Sequence, residues 1–169
     1  MNVGIRNGMK KTGFTLVEIL IVVVILGILA AIVVPQFSLA TVVSKESTLK
    51  HDLQMLRSQL NLYRVQHGDK YPWEIVGEDS DLVIEQMTSR TNELGDIGAA
   101  PRDYRYGPYL ERMPVNHFVK DTGGAADTLD FVPVPPTAGV GTTGWLVDTS
   151  MGKMYANTNT ADFPDHIRF

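Results

Sequence analysis

The feature that most constrains this chain is a long apolar stretch near its N-terminus. Every residue of Ile19–Val34 is apolar or Gly, and the stretch extends back to Phe14 with only Thr15 and Glu18 as polar interruptions. As an α-helix, the 21 residues that end at Val34 would be about 31 Å long, enough to cross a hydrocarbon core of roughly 30 Å. The sequence therefore predicts one membrane-spanning helix over 14–34.

The charges on the two sides of this stretch differ in sign. The first 13 residues hold three basic side chains and no acid, whereas the rest of the chain holds 12 basic and 19 acidic side chains. A basic flank on the short side keeps that side cytoplasmic, so we expect the long acidic part to be exported. No basic stripe remains to attract nucleic acid. The chain has no cysteine, so the exported part cannot use disulfides.

Three interpretations of the apolar stretch compete. A secretory signal peptide fits the basic start, but Leu29 stands where a small residue is preferred before the cleavage site. A plain signal anchor explains the length of the apolar stretch and its orientation in the membrane. It gives Glu18 no function, although inserting a carboxylate costs about 3 kcal/mol at a bilayer centre and less near the interface. In the third interpretation, the chain is cleaved before the apolar stretch, between Gly13 and Phe14, and Glu18 has a function.

The residues KTGFTLVE at 11–18 resemble the processing signature of type IV prepilins and of the pseudopilins of type II secretion. The resemblance covers residues 6–72 and implies that a membrane aspartyl peptidase cleaves after Gly13 and methylates the new N-terminal Phe14. Glu18 then becomes the fifth residue of the mature chain. Pro35 falls at mature position 22, where the family commonly has Pro.

Cleavage after Gly13 would create an ammonium group on Phe14 in an apolar setting. An unpaired charge there is costly, and so is the carboxylate of Glu18. We expect the ammonium of one subunit to pair with Glu18 of another and so to fix their axial register, a use of buried ion pairs that the family is held to share. The alternative is that Glu18 only extends to the lipid headgroups.

Beyond the apolar stretch, a one-sided pattern predicts that the helix continues over 35–67, with Gly68 as its C-cap. The apolar residues at spacings of three and four are Leu39, Val42, Val43, Leu49, Leu53, Leu56, Leu60 and Tyr63. Pro35 removes one backbone hydrogen bond, which predicts a kink, and Gly27 weakens the helix further. By resemblance to the family, we expect the segment between them to loosen on assembly.

Residues 68–169 are predicted to form a globular α+β head, in which the end of the long helix packs on a small antiparallel sheet. We expect a helix over 80–94, with Asp79 or Ser80 as its N-cap. The strand candidates are Thr128–Val132, Gly144–Val147 and Lys153–Ala156. A hairpin loop is expected to join the last two of these strands. The stretch GPYLERMPVNHF resembles the segment that precedes the sheet in major pseudopilins.

Several other motifs of the head are weaker evidence for a binding or catalytic function. The G-x-G-x-x-G match at 139–144 lacks a preceding strand and a following helix, so nucleotide binding is not expected. The four histidines have no ligand spacing for zinc. Major pseudopilins often bind calcium, and Asp121, Asp127 and Asp130 are the candidate ligands, with a solvated acidic loop as the alternative. No catalytic constellation stands out, and we expect neither an enzyme nor another cofactor.

These features together predict a structural subunit of a type II secretion pseudopilus. The leader 1–13 would be removed, and the mature chain would be a single-pass protein of the bacterial inner membrane with a periplasmic head. The implied partners are the bilayer, other copies in a filament, the prepilin peptidase/N-methyltransferase, an inner-membrane assembly platform and minor pseudopilins. The alternatives are a type IV pilus subunit, which the lack of cysteine disfavours, and a monomeric signal-anchored periplasmic binding module.

Overall fold

The chain folds into a long N-terminal helix and a small head. The computed structural model describes residues 13–119, 126–139, 141–159, 161 and 164–169. It divides into two compact units, one that ends at Val43 and one formed by Ser44–Phe169. The first helix, α1, spans Leu16–Gln66 and runs through Pro35 without leaving the helical conformation.

The N-terminal unit confirms the predicted apolar helix. All side chains from Phe14 to Val34 are exposed, although almost all of them are apolar. The segment Leu16–Val34 is long and apolar enough to cross a membrane, and within the described residues it is the one segment of this kind. An uncovered apolar surface of this length is stable in lipid or against other apolar helices, but not in water.

The second half of α1 packs into the head with one face. Leu49, Leu53, Leu56, Leu60 and Tyr63 are each at most 3% exposed, and their spacing places them on one side of the helix. This confirms the predicted buried stripe from Leu49 onward.

The prediction is wrong for the two valines near the start of the stripe, and the side chain of Leu39, its first residue, lies outside the described part of the structure. Val42 is 38% exposed and Val43 is 66% exposed. Both precede Ser44 and belong to the N-terminal unit, in which the described side chains are all exposed.

The C-terminus of α1 is closed by a Schellman motif around Gly68. Gly68 has a φ of +65°, which a glycine adopts without steric cost. The Asp69 N–H then donates to the Arg64 carbonyl at 2.9 Å, and Arg64 Nε lies 2.9 Å from Asp69 Oδ1. The motif confirms the predicted C-cap. A short helix, α2 (Pro72–Val76), follows.

The third helix, α3, spans Ser80–Thr88 and is shorter than predicted. Asp79 is its N-cap, as expected, and its Oδ1 accepts from the N–H groups of Asp81 and Leu82 at 3.0 and 3.2 Å. The predicted extension to residue 94 is wrong. The backbone of Thr91 instead exchanges two hydrogen bonds of 3.0 Å with Tyr106, and this pairing requires an extended chain.

The sheet of the head has three strands in the order β1–β2–β3. They are β1 (Leu129–Val132), β2 (Trp145–Asp148) and β3 (Lys153–Ala156). The predicted hairpin of β2 and β3 is confirmed, with antiparallel pairing. However, β1 pairs with β2 in parallel, so the sheet is mixed and the prediction of a purely antiparallel sheet is wrong.

The parallel pairing follows from the connection between β1 and β2, residues 133–144. Parallel neighbours need a crossover of about a dozen residues, which this loop supplies. This loop passes very close to other backbone segments. A Cβ on Gly139 would overlap the carbonyl oxygen of Thr158, and a Cβ on Gly144 would overlap the carbonyl oxygen of Ala126. The glycines of the G-x-G-x-x-G match therefore have a packing role.

The core of the head lies between the buried stripe of α1, the two short helices and the sheet. Trp145, the largest fully buried side chain among the described residues, donates from its Nε1 to the Pro114 carbonyl at 2.9 Å. The other members of this hydrophobic cluster from α2, α3 and the sheet are Trp73, Val83, Met87, Leu129, Val147, Met154 and Ala156.

A buried polar cluster joins the end of α1 to the loop after α3. His67 is 2% exposed, and its ring stacks on Tyr63 with centroids 3.7 Å apart. Its Nδ1 lies 2.8 Å from the Tyr63 carbonyl, and its Nε2 lies 3.0 Å from Thr91 Oγ1. Because a carbonyl only accepts, Nδ1 carries the proton and Nε2 accepts from the hydroxyl. Burial lowers the pKa of His67 and favours this neutral form.

Truncation of the buried stripe should destabilise the head. We expect Leu53→Ala to reduce the free energy of unfolding by about 3 kcal/mol because Leu53 is 1% exposed and leaves a cavity. Leu62→Ala on the same helix is the control, since Leu62 is 45% exposed, and it should change stability by about 0.5 kcal/mol or less. Denaturant unfolding of the full chain in detergent measures both values. Equal losses in the two variants would contradict the packing described.

Mild acid should also destabilise the head. The pKa of His67 lies below its ordinary value of 6.5 when folded, so the unfolded chain takes up the proton first as the pH falls. The stabilising contribution is therefore present above about pH 6.5 and is lost below it. We expect His67→Gln to show a smaller loss of stability between pH 7 and pH 5 than the wild type, and His51→Gln, at an exposed position, to show the wild-type loss. An unchanged pH dependence in His67→Gln would contradict this assignment.

Candidate functional site

The candidate site is the segment that precedes the apolar helix. Gly13, Phe14 and Thr15 lie outside α1 in non-helical conformation, and all three are exposed. Phe14 is 74% exposed, and among the described residues no atom other than those of Gly13 and its chain neighbours lies within 4 Å of the place where a Cβ on Gly13 would be. The peptide bond between Gly13 and Phe14 is therefore open to an enzyme.

The start of α1 is set by a reciprocal cap between Thr15 and Glu18. Thr15 Oγ1 accepts from the Glu18 N–H at 3.2 Å, and Glu18 Oε2 accepts from the Thr15 N–H at 3.5 Å. The Thr15 carbonyl also accepts the first helical hydrogen bond, from the Ile19 N–H at 3.3 Å. This arrangement is a capping box.

The role of Thr15 was not predicted, although the signal was present in the sequence. Thr15-Leu16-Val17-Glu18 has the spacing T-x-x-E that defines the capping box in a sequence. The cap explains why Gly13 and Phe14 stay outside the helix, and it gives the carboxylate of Glu18 a partner within its own chain.

The carboxylate of Glu18 also lies at the N-terminal end of α1. Glu18 lies in the first turn of α1, where the positive end of the helix dipole stabilises an anion. Within the described residues, no Lys, Arg or His nitrogen lies within 4 Å of its carboxylate, and Oε1 accepts no hydrogen bond there. One oxygen of Glu18 thus remains available to a cation from outside the chain.

The two predicted weak points of the helix both lie within α1. Within the described residues, no atom beyond the adjacent helix backbone lies within 4 Å of the position of a Cβ on Gly27, so packing among these residues does not require a glycine there. The backbone at Pro35 is helical. Loosening of the segment between these two residues on assembly remains a prediction.

Two of the three calcium candidates, Asp127 and Asp130, lie in the part of the head that the structure describes. Asp127 and Asp130 are exposed, and Asp130 Oδ1 accepts from the Phe131 N–H at 3.0 Å. Asp121 lies outside the described residues. Among those that are described, no group of three or more metal-ligating side chains occurs.

Comparisons with known proteins agree with the geometry of this segment. A family model described as a prokaryotic N-terminal methylation motif matches residues 8–34. This range contains the exposed Gly13–Phe14 step, the capping box and the whole apolar segment.

Relatives named type II secretion system core protein G extend the match into the head. The protein from Vibrio cholerae is 32% identical over 112 residues, which are 66% of this chain and 68% of that protein. The protein from Pseudomonas aeruginosa is 30% identical over 107 residues, 63% of this chain and 68% of the relative. The protein from Escherichia coli K12 is 25% identical over 148 residues, 85% of this chain and 94% of the relative.

No solved structure matches the chain significantly. The family therefore follows from the sequence comparisons, and the geometry of the N-terminal segment and the α+β head is consistent with it. The chain is a membrane-anchored pseudopilin subunit that belongs to the family of type II secretion system core protein G, the major pseudopilin.

Proposed function

We propose that this protein is made as a prepilin, cleaved after Gly13, methylated on the amine of Phe14 and polymerised through α1 into a pseudopilus that drives protein export. The observation that carries the proposal is the exposed Gly13–Phe14 bond directly before a self-capped apolar helix with Glu18 in its first turn. The names of the relatives support the assignment to type II secretion.

The orientation proposed for the precursor follows from its charges. The leader 1–13 is basic and the head is acidic, so the leader stays in the cytoplasm and the head enters the periplasm. Residues 14–34 span the inner membrane once. A peptidase within the membrane then meets the Gly13–Phe14 bond at the cytoplasmic surface.

The driving force proposed for assembly is the pairing of two charges that lipid cannot solvate. Cleavage places an ammonium group on Phe14, one helical turn from Glu18. The capping box occupies Oε2 of Glu18, whereas Oε1 accepts no hydrogen bond among the described residues. The ammonium of a neighbouring subunit can bind this oxygen, which relieves the desolvation cost of both groups and fixes the step between subunits.

The segments of the mature chain would then have separate tasks. Residues 14–34 form the core of the filament after extraction from the bilayer, and 35–67 carry the head 68–169 on its outside. The segment between Gly27 and Pro35 loosens to fit the helical packing. The proposed partners besides other copies are the peptidase/N-methyltransferase, the inner-membrane assembly platform and the minor pseudopilins.

Processing should be visible in the mass of the mature protein. We expect the chain purified from its host membrane to begin at Phe14 and to carry one extra methyl group on its amine, because the Gly13–Phe14 bond is exposed outside α1. Intact mass spectrometry with N-terminal fragmentation measures both. A chain that retains its first thirteen residues in a host with an active peptidase would rule out the proposed maturation.

Loss of the Glu18 charge should block assembly but not insertion. We expect Glu18→Gln to reach the membrane and to be cleaved as the wild type is, while the yield of sheared filaments falls at least tenfold because the ammonium of Phe14 loses its partner. Glu78→Gln, at an exposed position in the head, is the control and should assemble normally. Electron microscopy and quantitative immunoblots of the sheared fraction measure the yield. Wild-type yield from Glu18→Gln would refute the pairing.

A further inference from the structure

Residues 164–169 lie against the part of α1 that belongs to the head. His166 Nε2 lies 3.6 Å from Oε1 of Glu46, and Lys50 Nζ lies 4.1 Å from the centre of the Phe169 ring. Glu46 and Lys50 are four residues apart on α1, so their side chains are neighbours on the helix surface. The segment therefore follows one side of α1.

A single arginine joins this segment to both α1 and β3. Arg57 Nε and Nη2 donate to the Met154 carbonyl at 2.9 and 2.7 Å, and Nη2 also donates to the main-chain oxygen of Phe169 at 2.7 Å. Hydrogen bonds from a charged donor are about twice as strong as those between neutral groups. The guanidinium on α1 thus binds the strand and the segment at the same time.

The segment is not paired with the sheet. Its own main-chain hydrogen bonds are local, from the Arg168 N–H to the Asp165 carbonyl at 3.0 Å and from the Phe169 N–H to the His166 carbonyl at 3.4 Å. Among the described residues, no hydrogen bond between main-chain atoms joins it to another element. Segments of this kind open at a lower free energy than the helices and strands around them. Side chains therefore decide whether the segment stays closed.

The titratable side chain at the centre of these contacts is His166. It is 2% exposed, and its Nδ1 lies 3.2 Å from Thr158 Oγ1. Its ring meets that of Phe118 edge to face with centroids 4.4 Å apart, and the centroid of the Phe169 ring lies at 5.2 Å. An imidazole enclosed by aromatic rings in this way is desolvated, which disfavours its charged form.

Three charged groups face His166. On α1, Glu46 favours the charged imidazole and Lys50 opposes it, and Asp165 of the segment itself also favours the charge. Burial outweighs them, so the pKa of His166 lies below its ordinary value of 6.5. As the pH falls, the open segment takes up a proton before the closed segment does. The contribution of His166 to the closed form is therefore present above about pH 6.5 and is lost below it.

We propose that residues 164–169 form a latch on α1 that opens in mild acid while the rest of the head stays folded. Phe169 packs against the hydrophobic core of the head, so opening of the latch uncovers apolar surface beside Lys50 and Arg57. Each contact described above lies within one head, so the opening does not require a filament.

Distances between spin labels can follow the latch, since the chain has no cysteine of its own. The full-length double variant Gln54→Cys/Arg168→Cys carries one label on α1 and one in the latch, both at exposed positions. Pulsed electron paramagnetic resonance in detergent should give a narrow distance distribution at pH 7 and an added broad component at pH 5. The ratio of open to closed latch should rise roughly tenfold, below the limit of about 25-fold for a histidine that stays neutral when closed.

A second label pair separates opening of the latch from unfolding of the head. Met151 lies between β2 and β3 and is exposed, so Gln54→Cys/Met151→Cys reports the distance from α1 to the hairpin. This distribution should stay narrow at both pH values. Broadening of both pairs together would overturn the proposal, because the head would then open as a whole.

Substitutions test the two side chains that hold the latch. His166→Gln can still bond the Thr158 hydroxyl but takes up no proton, so it should remove the pH dependence of the latch pair, whereas the exposed control His51→Gln should keep it. Arg57→Gln loses the guanidinium that binds two main-chain oxygens and should be open at both pH values. Arg102→Gln, at an exposed position, is its control and should behave as the wild type.

Glu46→Gln provides an independent measurement if His166→Gln does not close. Because Glu46 favours the charged form of His166 in the closed latch, its loss should move the opening to higher pH. A latch pair that stays narrow at pH 5 would overturn the proposal, and so would a Glu46→Gln variant that opens at the wild-type pH. Since all of these distances are measured in detergent monomers, a failure of filament assembly would overturn the proposed function and leave the latch intact.

Discussion

The constraint on which the rest of the structure depends is a single carboxylate at the start of the apolar segment of α1. Glu18 lies in the first turn of α1, and a charge in hydrocarbon without a partner costs several kcal/mol. The capping box reduces this cost in the single chain, since Thr15 and Glu18 satisfy each other's backbone N–H groups. The cap leaves one oxygen of Glu18 available, and we propose that a cleaved neighbour provides its partner.

The same helix also forms the core of the head. The stripe from Leu49 to Tyr63 is almost fully buried, so the C-terminal half of α1 is part of the core of the α+β head. One continuous helix, Leu16–Gln66, thus carries the membrane segment, the proposed assembly charge and the largest apolar face of the head.

Features that depend on local sequence were predicted well. The apolar run, the buried stripe of α1, the N-cap at Asp79 and the strand Lys153–Ala156 each follow from periodicity or from residues within one turn of one another. The capping role of Thr15 could also have been predicted from the local sequence. It was missed because the processing motif already accounted for the same residues.

Features that depend on distant residues were not predictable in this way. The end of α3 at Thr88 depends on the pairing of Thr91 with Tyr106, and the parallel pairing of β1 with β2 depends on a loop that folds back over the backbone of Thr158. A groove on the head is lined by residues of α1, α3 and loops that are far apart in sequence. No periodic pattern marks such a combination of elements.

The most direct measurement of the central claim is the distance between the amine of one subunit and the carboxylate of another. Filaments would be assembled from an equal mixture of chains labelled with ¹⁵N at Phe and chains labelled with ¹³C at the Glu carboxyl, and studied by solid-state NMR. The amine ¹⁵N of Phe14 is resolved from amide nitrogens. The account predicts a dipolar coupling between this amine and Glu18 that corresponds to an ion pair, about 4 Å or less, in mixed filaments and not in mixed detergent monomers. Well-ordered filaments without that coupling would contradict it.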